Sequence, residues 1–362
     1  MTAPSSLEYL IGILNRAFDL PVLRERELPC GNEEWEKILS ISTKQRVLPL
    51  VVSMFDKLPP DRTATWTTAI EGRLMAERLA EKQQRRLALV PRLAGLFRER
   101  GLDVMFIKGA TLSLRYPSVE LRYFGDLDFY LFGRAREGAE ALAENGIAGR
   151  EYYHHHTQAS WEGVLLENHY DFVDLENHKC NRVLDEALKG LAERERRPFA
   201  LPGAKMDNAY RMSPTMEAVF LMRHMSAHFA SAETELRQLY DWVLLVRHDG
   251  GQINWWEVCR LYEASGMMRF AGIISWIIRE KLSVDLELPI PPDETPVRER
   301  VWAALCDPDD ANKYKKGSFR YYLREAQVLI RNRWKYKLVY PGEFFPALVF
   351  HMLRSKLKLG LR

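Results

Sequence analysis

The stretch FIKGATLSLRYPSVELRYFGDLDFYLF, residues 106–132, decides the fold. It sets Lys108–Gly109 at the end of one apolar run and Gly125–Asp126–Leu127–Asp128 at the start of the next. Successive side chains of a strand point to opposite faces, so Asp126 and Asp128 share a face that Leu127 and Phe129 do not. Two neighbouring carboxylates raise each other's pKa unless a cation stands between them. Mg²⁺, which prefers hard oxygen and is commonly held by one or two carboxylates plus substrate phosphates, meets that need. An Asp-x-Asp pair alone is common on surface strands and turns. Its place behind Gly125, one strand–helix unit after a Lys-Gly, singles this one out: glycine lets backbone N–H groups approach a phosphate, and lysine adds a mobile charge.

A third acid would complete such a site. LLENHYDFVD offers Glu167, with His169 two residues on and on the same strand face, and Asp171 and Asp174 beyond. Upstream, residues 5–100 carry apolar residues at helical spacing in SLEYLIGILNRAF, EEWEKILSI, KQRVLPLVVSMFDKL and a long run ending at Gly101, with Pro91 marking a kink or break. The period then shortens. LDVMFIKG reads as a strand, ATLSLRYP as a turn or two of helix, DLDFYLF as a strand, AREGAEALAENG as a helix stopped by Gly146, and GVLLENHYDFVDLE as a longer strand. Helix returns with SPTMEAVFLMRHMSAHFAS, where Ser213 is an N-cap backed by Pro214 and Glu217, and continues through three further amphipathic segments. The expected class is α+β, a small mixed β-sheet core flanked by N-terminal and C-terminal helical regions. The segments are 1–100 helical, 101–212 the α/β core, 213–290 a helical domain packing on it, and 291–362 a basic aromatic helical region.

At 362 residues and 47% hydrophobic the chain can bury a substantial core. The net charge of +3 is unevenly placed: from residue 311 onward 13 Lys and Arg face only Glu325 and Glu343. That tail mixes basic and aromatic residues, which suits a solvated basic face over a hydrophobic dock, RNA contact, or a membrane-surface helix. Cys30, Cys180, Cys259 and Cys306 are scattered without metal-like spacing, arguing against a zinc site or disulfide framework and for a reducing compartment. The first twenty residues lack the basic start of a signal peptide, and no run approaches the length of a spanning helix, so a cytoplasmic location is expected.

Three further features invite a chemical reading. His154, His155 and His156 are consecutive, and strand alternation argues against all three reaching one metal ion, which favours solvated or acceptor-facing roles. His224 and His228 lie i, i+4 without the glutamate of a zinc-protease helix, so packing is the preferred reading. Arg237 and Asp241, also i, i+4, are expected to form an intrahelical ion pair that orients their helix.

The 106–132 block, with its Lys-Gly, its Arg and its Asp-x-Asp, resembles the signature of the uncharacterised nucleotidyltransferase family of the DNA polymerase β superfamily. LLENHYDF is similar to that family's acid-x-His-aromatic strand, and LMRHMSAHFASAETELRQLYDWVLLV to its His-rich helix and Arg-x-x-x-Asp helix. The likeness runs over roughly residues 5–290. It implies a nucleotidyltransferase-like core binding an NTP, ATP in the first instance, with Mg²⁺. Asp126, Asp128 and Glu167 would be the catalytic and metal-binding acids, and Lys108, Gly109, Arg122, Gly125 and His169 would bind the nucleotide. Two departures stand out: a Lys-Gly replaces the superfamily's Gly-Gly or Gly-Ser turn, and the third acid is Glu, one methylene longer than Asp. The implied reaction transfers NMP to a small-molecule, peptide or protein acceptor. Attack at the γ-phosphorus would make a phosphotransferase from the same parts. A nucleotide- or RNA-binding module without turnover is the non-enzymatic alternative.

Overall fold

The computed structural model describes residues 5–147, 149–152, 155–231, 234–306 and 319–343. The chain opens with helices α1 (Ser6–Ala17), α2 (Asn32–Lys44), α3 (Leu48–Val52) and α4 (Trp66–Glu99). A capping box starts α1: Ser5 Oγ accepts from the Glu8 amide while the Glu8 carboxylate accepts from Ser5 N–H at 2.8 Å. The long α4 runs through Pro91 without ending there, and Gly101, at φ +62°, follows its last turn.

β1 (Val104–Ile107), the short helix α5 (Gly109–Leu112), β2 (Asp126–Tyr130), α6 (Ala135–Glu144), β3 (Gly149–Tyr152), β4 (His156–Trp161), β5 (Val164–His169), α7 (Asn181–Glu195), β6 (Arg197–Pro198) and β7 (Ala209–Arg211) follow. The strands make one sheet in the order β3-β4-β5-β2-β1-β7-β6. It is mixed: β2 runs parallel to β5 and β1 parallel to β7, while β1–β2, β3–β4, β4–β5 and β6–β7 are antiparallel.

Three features differ from the sequence reading. The strand expected over GVLLENHYDFVDLE ends at His169, because the amides of Tyr170 and Asp171 both turn to the carbonyl of His155, at 3.1 and 3.2 Å. A β4–β5 hairpin, unannounced by the sequence, begins at His156. Helix α7 buries Leu184, Leu188 and Leu191, an i, i+4, i+7 stripe the reading passed over.

The sheet separates two apolar layers. Val104, Phe106, Leu127, Phe129 and Leu166 face α4 and α6, with Phe129 against Phe97 at 5.2 Å between ring centroids. Met105, Ile107 and Tyr130 face the other way, into a larger cluster. There they meet α8 (Pro214–Ser231), α9 (Leu236–Asp249), α10 (Trp255–Ala264) and α11 (Met268–Trp276), which runs on into a π-helical turn, Ile277–Lys281. Helices α12 (Val297–Cys306), α13 (Phe319–Arg331) and α14 (Arg333–Val339) complete the described chain. Residues of α1–α3 belong to this second cluster, so the two flanking helical regions pack on each other as well as on the sheet. Among the described residues no helix is long and apolar enough to cross a membrane.

Candidate active site

Strand alternation puts Asp126, Asp128 and Tyr130 on the face covered by α8 and α9. The parallel β2–β5 register sets Asp128 directly opposite Glu167 and Tyr130 opposite His169; antiparallel β4 then sets Gln158 opposite Glu167 and His156 opposite His169. A polar row Gln158–Glu167–Asp128 therefore crosses three central strands, where apolar side chains would be the norm. Gln158 Nε2 donates to Glu167 Oε1 at 2.9 Å, and His169 Nε2 lies 3.1 Å from Asp128 Oδ1 and 3.8 Å from Glu167 Oε2. Asp128, Glu167 and His169 each bring one ligand atom within 4.8 Å of the other two.

The turn after β1 delivers the cation. Lys108 has φ +54°, a left-handed conformation unusual outside glycine and typical of constrained functional turns. Its Nζ lies 2.7 Å from Asp128 Oδ1 and 3.3 Å from His224 Nε2 on α8. Gly109 is required by contact: a Cβ there would stand 3.1 Å from the ring of Phe124. Gly125, by contrast, has open space where a Cβ would go.

Arg122 lies beneath this turn with its guanidinium 2% exposed. It donates to both carboxylate oxygens of Asp241 on α9, at 2.8 Å each, and to the Gly109 carbonyl at 3.1 Å. Expected as a nucleotide contact, it is engaged with protein groups here. The intrahelical Arg237–Asp241 pair expected from sequence is the weaker contact, 3.6 Å. Asp241 belongs first to Arg122, with Tyr116 Oη donating to it as well, at 3.0 Å. Asp171 turns away to Lys189, and Asp174 caps the Asn177 amide at 3.0 Å.

A cavity of about 470 Å³ opens over the row, within the range of small-ligand sites. Lys108, Gly109, Arg122, Gly125, Asp126, Asp128, Glu167 and His169 all line it, so the residues singled out from sequence converge on one space. Several others do so too: His155, His156, His224, His228, Arg46 and Arg237. Of the 154–156 run, His156 is buried at 6% exposure and His155 partly so, both facing this cavity; His154 lies outside the described residues. His224 and His228, read as packing, stand with their Nε2 atoms 3.2 Å apart and adjoin the lysine. Their i, i+4 spacing was the available signal; what the sequence lacked was Lys108 as their neighbour.

The electrostatics are those of an anionic centre short of positive charge. Burial pulls Lys108 down, but Asp128, Asp126 and Glu167 outweigh it and hold the ammonium above its ordinary value. Burial likewise pushes Asp128 up, and Lys108 and His169 overcome it, keeping that carboxylate ionised. The surplus falls on the neighbours: Asp126 is raised, first by Asp128 and then by burial, and Glu167 is pushed up to about 8 by burial and Asp128. Burial, then Lys108, holds His224 well below its usual value, so it is neutral. One lysine does not balance the charge of Asp126, Asp128 and Glu167, and a divalent cation fits the remainder; the ligand atoms within reach of one another are those of Asp128, Glu167 and His169, with Asp126 outside that group.

The chain belongs to the uncharacterised nucleotidyltransferase family, whose model matches residues 31–283, and is thereby a transferase. Its fold has distant likenesses among solved structures. The antibiotic-resistance factor ANT(2'')-Ia is 14% identical with a TM-score of 0.35, over 55% of this chain and 100% of that one. Megavirus polyadenylate synthase is 12% identical with a TM-score of 0.30, over 59% of this chain and 36% of that one. No curated protein matches the chain.

Proposed function

We propose that the protein transfers NMP from an NTP, with Mg²⁺, to a hydroxyl- or amine-bearing small molecule, peptide or protein in the cytoplasm. The observation that carries this is the in-register pair Asp128–Glu167 beside Asp126, with Lys108 Nζ on Asp128, at the wall of a cavity large enough for a nucleotide. Asp126, Asp128 and Glu167 would hold the metal ion, which when bound neutralises triphosphate charge and orients the leaving group. The chain's own groups do the rest. Lys108 adds a positive charge held in place by Asp128. Gly109 lets the turn that presents Lys108 seat against the Phe124 ring, and Gly125 lines the same cavity. Arg122 acts by pinning the Gly109 carbonyl to α9 through Asp241, which fixes the turn that presents Lys108. His169, hydrogen-bonded between Asp128 and the Asp171 carbonyl, orients the carboxylate row. Glu167, directly opposite Asp128, would take the acceptor's proton as the acceptor attacks the α-phosphorus and pyrophosphate departs.

Thermal shift with each NTP and Mg²⁺, on wild type and Asp128→Asn, tests this. A Mg²⁺-dependent shift with at least one NTP, abolished by the substitution, supports the site. α-labelled against γ-labelled NTP then separates nucleotidyl from phosphoryl transfer. The absence of any shift would overturn the reading.

A further inference from the structure

Beside the carboxylate row lies a second cluster of donors, all nitrogen. One ring nitrogen from each of His155, His156 and His169 lies within 4.8 Å of the other two, and the ring centroids are 4.6, 5.3 and 5.2 Å apart. Alternation along a strand should send His155 and His156 to opposite faces. It does not apply, because His155 sits in the bend just ahead of β4, where its carbonyl takes the amides of Tyr170 and Asp171. That bend turns adjacent imidazoles toward the same side, where β5 supplies the third.

The contacts of these rings are short of positive charge. His169 has an acceptor at each nitrogen: the Asp171 carbonyl 3.3 Å from Nδ1 and Asp128 Oδ1 3.1 Å from Nε2. A neutral imidazole has one N–H, so it satisfies one of those acceptors and turns a lone pair on the other. His156 Nε2 stands 3.4 Å from Glu167 Oε1 and 3.3 Å from the Gln158 amide nitrogen. His155 Nδ1 is buried with no hydrogen-bond partner among the described residues. In either tautomer His169 keeps one lone pair, and one of its ring nitrogens lies within 4.8 Å of one from each of the other two rings.

We infer that His155, His156 and His169 form a second divalent-cation position, adjoining the carboxylate site through the shared His169 and suited to a borderline ion such as Zn²⁺ rather than to Mg²⁺. Three imidazoles are the ligand count of an open tetrahedral site, and all three residues line the cavity. Imidazole nitrogen favours Zn²⁺ and its neighbours, whereas Mg²⁺ takes oxygen and gives up water reluctantly. The site stands whether or not the protein transfers a nucleotide, since three imidazoles can hold a cation without a triphosphate.

Co²⁺, a spectroscopic stand-in for Zn²⁺, tests it on the full chain after chelator treatment and in excess Mg²⁺. The expected result is one tightly held Co²⁺ per chain with visible d–d absorption, and paramagnetically shifted imidazole N–H resonances from at least two histidines. The double variant His155→Gln/His156→Gln should weaken Co²⁺ binding at least tenfold. Asp126→Asn should leave it within about twofold while losing any nucleotide-dependent thermal shift, so failure of one site is told from failure of the other. Displacement of Co²⁺ by Mg²⁺, unchanged affinity in the double variant, or fewer than two shifted imidazole resonances would each overturn the proposal. The resonance count needs no variant, so it decides the matter even if the double variant fails to fold.

Discussion

Lys108 is the one residue whose removal separates charge from shape. Its side chain is 15% exposed and lies 2.7 Å from Asp128, so Lys108→Met keeps the apolar stem and takes away the cation nearest three carboxylates. Breaking a buried pair by removing one partner costs about 3–5 kcal/mol. The variant should show that loss by denaturant unfolding in chelator, and millimolar Mg²⁺ should restore much of it by occupying the same carboxylates. Loss without restoration would point to packing alone. Asp241 offers the complementary test away from the acids. Burial raises its pKa, but Arg122 outweighs it and the folded value lies below the ordinary carboxylate value. A depressed folded pKa means the unfolded chain binds the proton first, so the stabilisation is present above the unfolded value, about 4, and is lost as pH falls through the folded one. Asp241→Asn should therefore be about 3–5 kcal/mol less stable than wild type at pH 7. That gap should narrow as pH drops below 4 in paired thermal melts. Sequence exposed Lys108, Asp126, Asp128 and Glu167 because strand alternation needs only neighbours in the chain. It found Asp241's pair with Arg237, present at 3.6 Å, and missed the closer Arg122, which is 119 residues away and reported by no local period.

Among the elements, the Lys-Gly turn is where a small steric fact governs the site. The Gly109 Cα packs against the Phe124 ring, and Phe124, 3% exposed, cannot retreat without disturbing the layer beneath β1 and β2. Gly109→Ala asks that ring to yield by a few tenths of an ångström and should cost about 1–3 kcal/mol, as overpacked cores do. It should also weaken nucleotide-dependent thermal shifts more than Gly125→Ala, where a methyl meets open space. β1, α5, β2 and α6 were legible because apolar period and glycine punctuation change together there. The β4–β5 hairpin was not. Its two-residue turn puts Glu162 at φ +50° and Gly163 at +77°, a conformation usually announced by Asn-Gly or Asp-Gly. With Glu in the first position the strongest short-range signal is missing, and the polar inward residues Gln158 and His156 erase the usual alternation.

For the molecule as a whole, the flanking helices behave as one support around the sheet. Asn15 on α1 donates to the Leu282 carbonyl at 2.8 Å and accepts from Tyr240 Oη at 2.9 Å; Gln45 after α2 accepts from the Leu236 amide at 2.7 Å. Val22 and Val284 add a single antiparallel bridge. Each ties the first fifty residues to α9 or to the segment behind α11, and α9 is the helix that carries Asp241 and so holds the Lys-Gly turn. Nothing in local periodicity could reveal this, since the partners lie more than 190 residues apart. Asn15→Leu tests the coupling. Asn15 is 4% exposed, so the substitution leaves a carbonyl and a hydroxyl buried without partners. At about 1–3 kcal/mol for each unsatisfied group, the unfolding free energy should fall by about 2–6 kcal/mol. Because α1 and α9 share one apolar cluster, the loss should appear as a lowered single transition that is the same by tryptophan fluorescence and far-UV circular dichroism. An early separate transition confined to fluorescence would mean that the N-terminal helices melt on their own, and α9 would then have to hold the site without them.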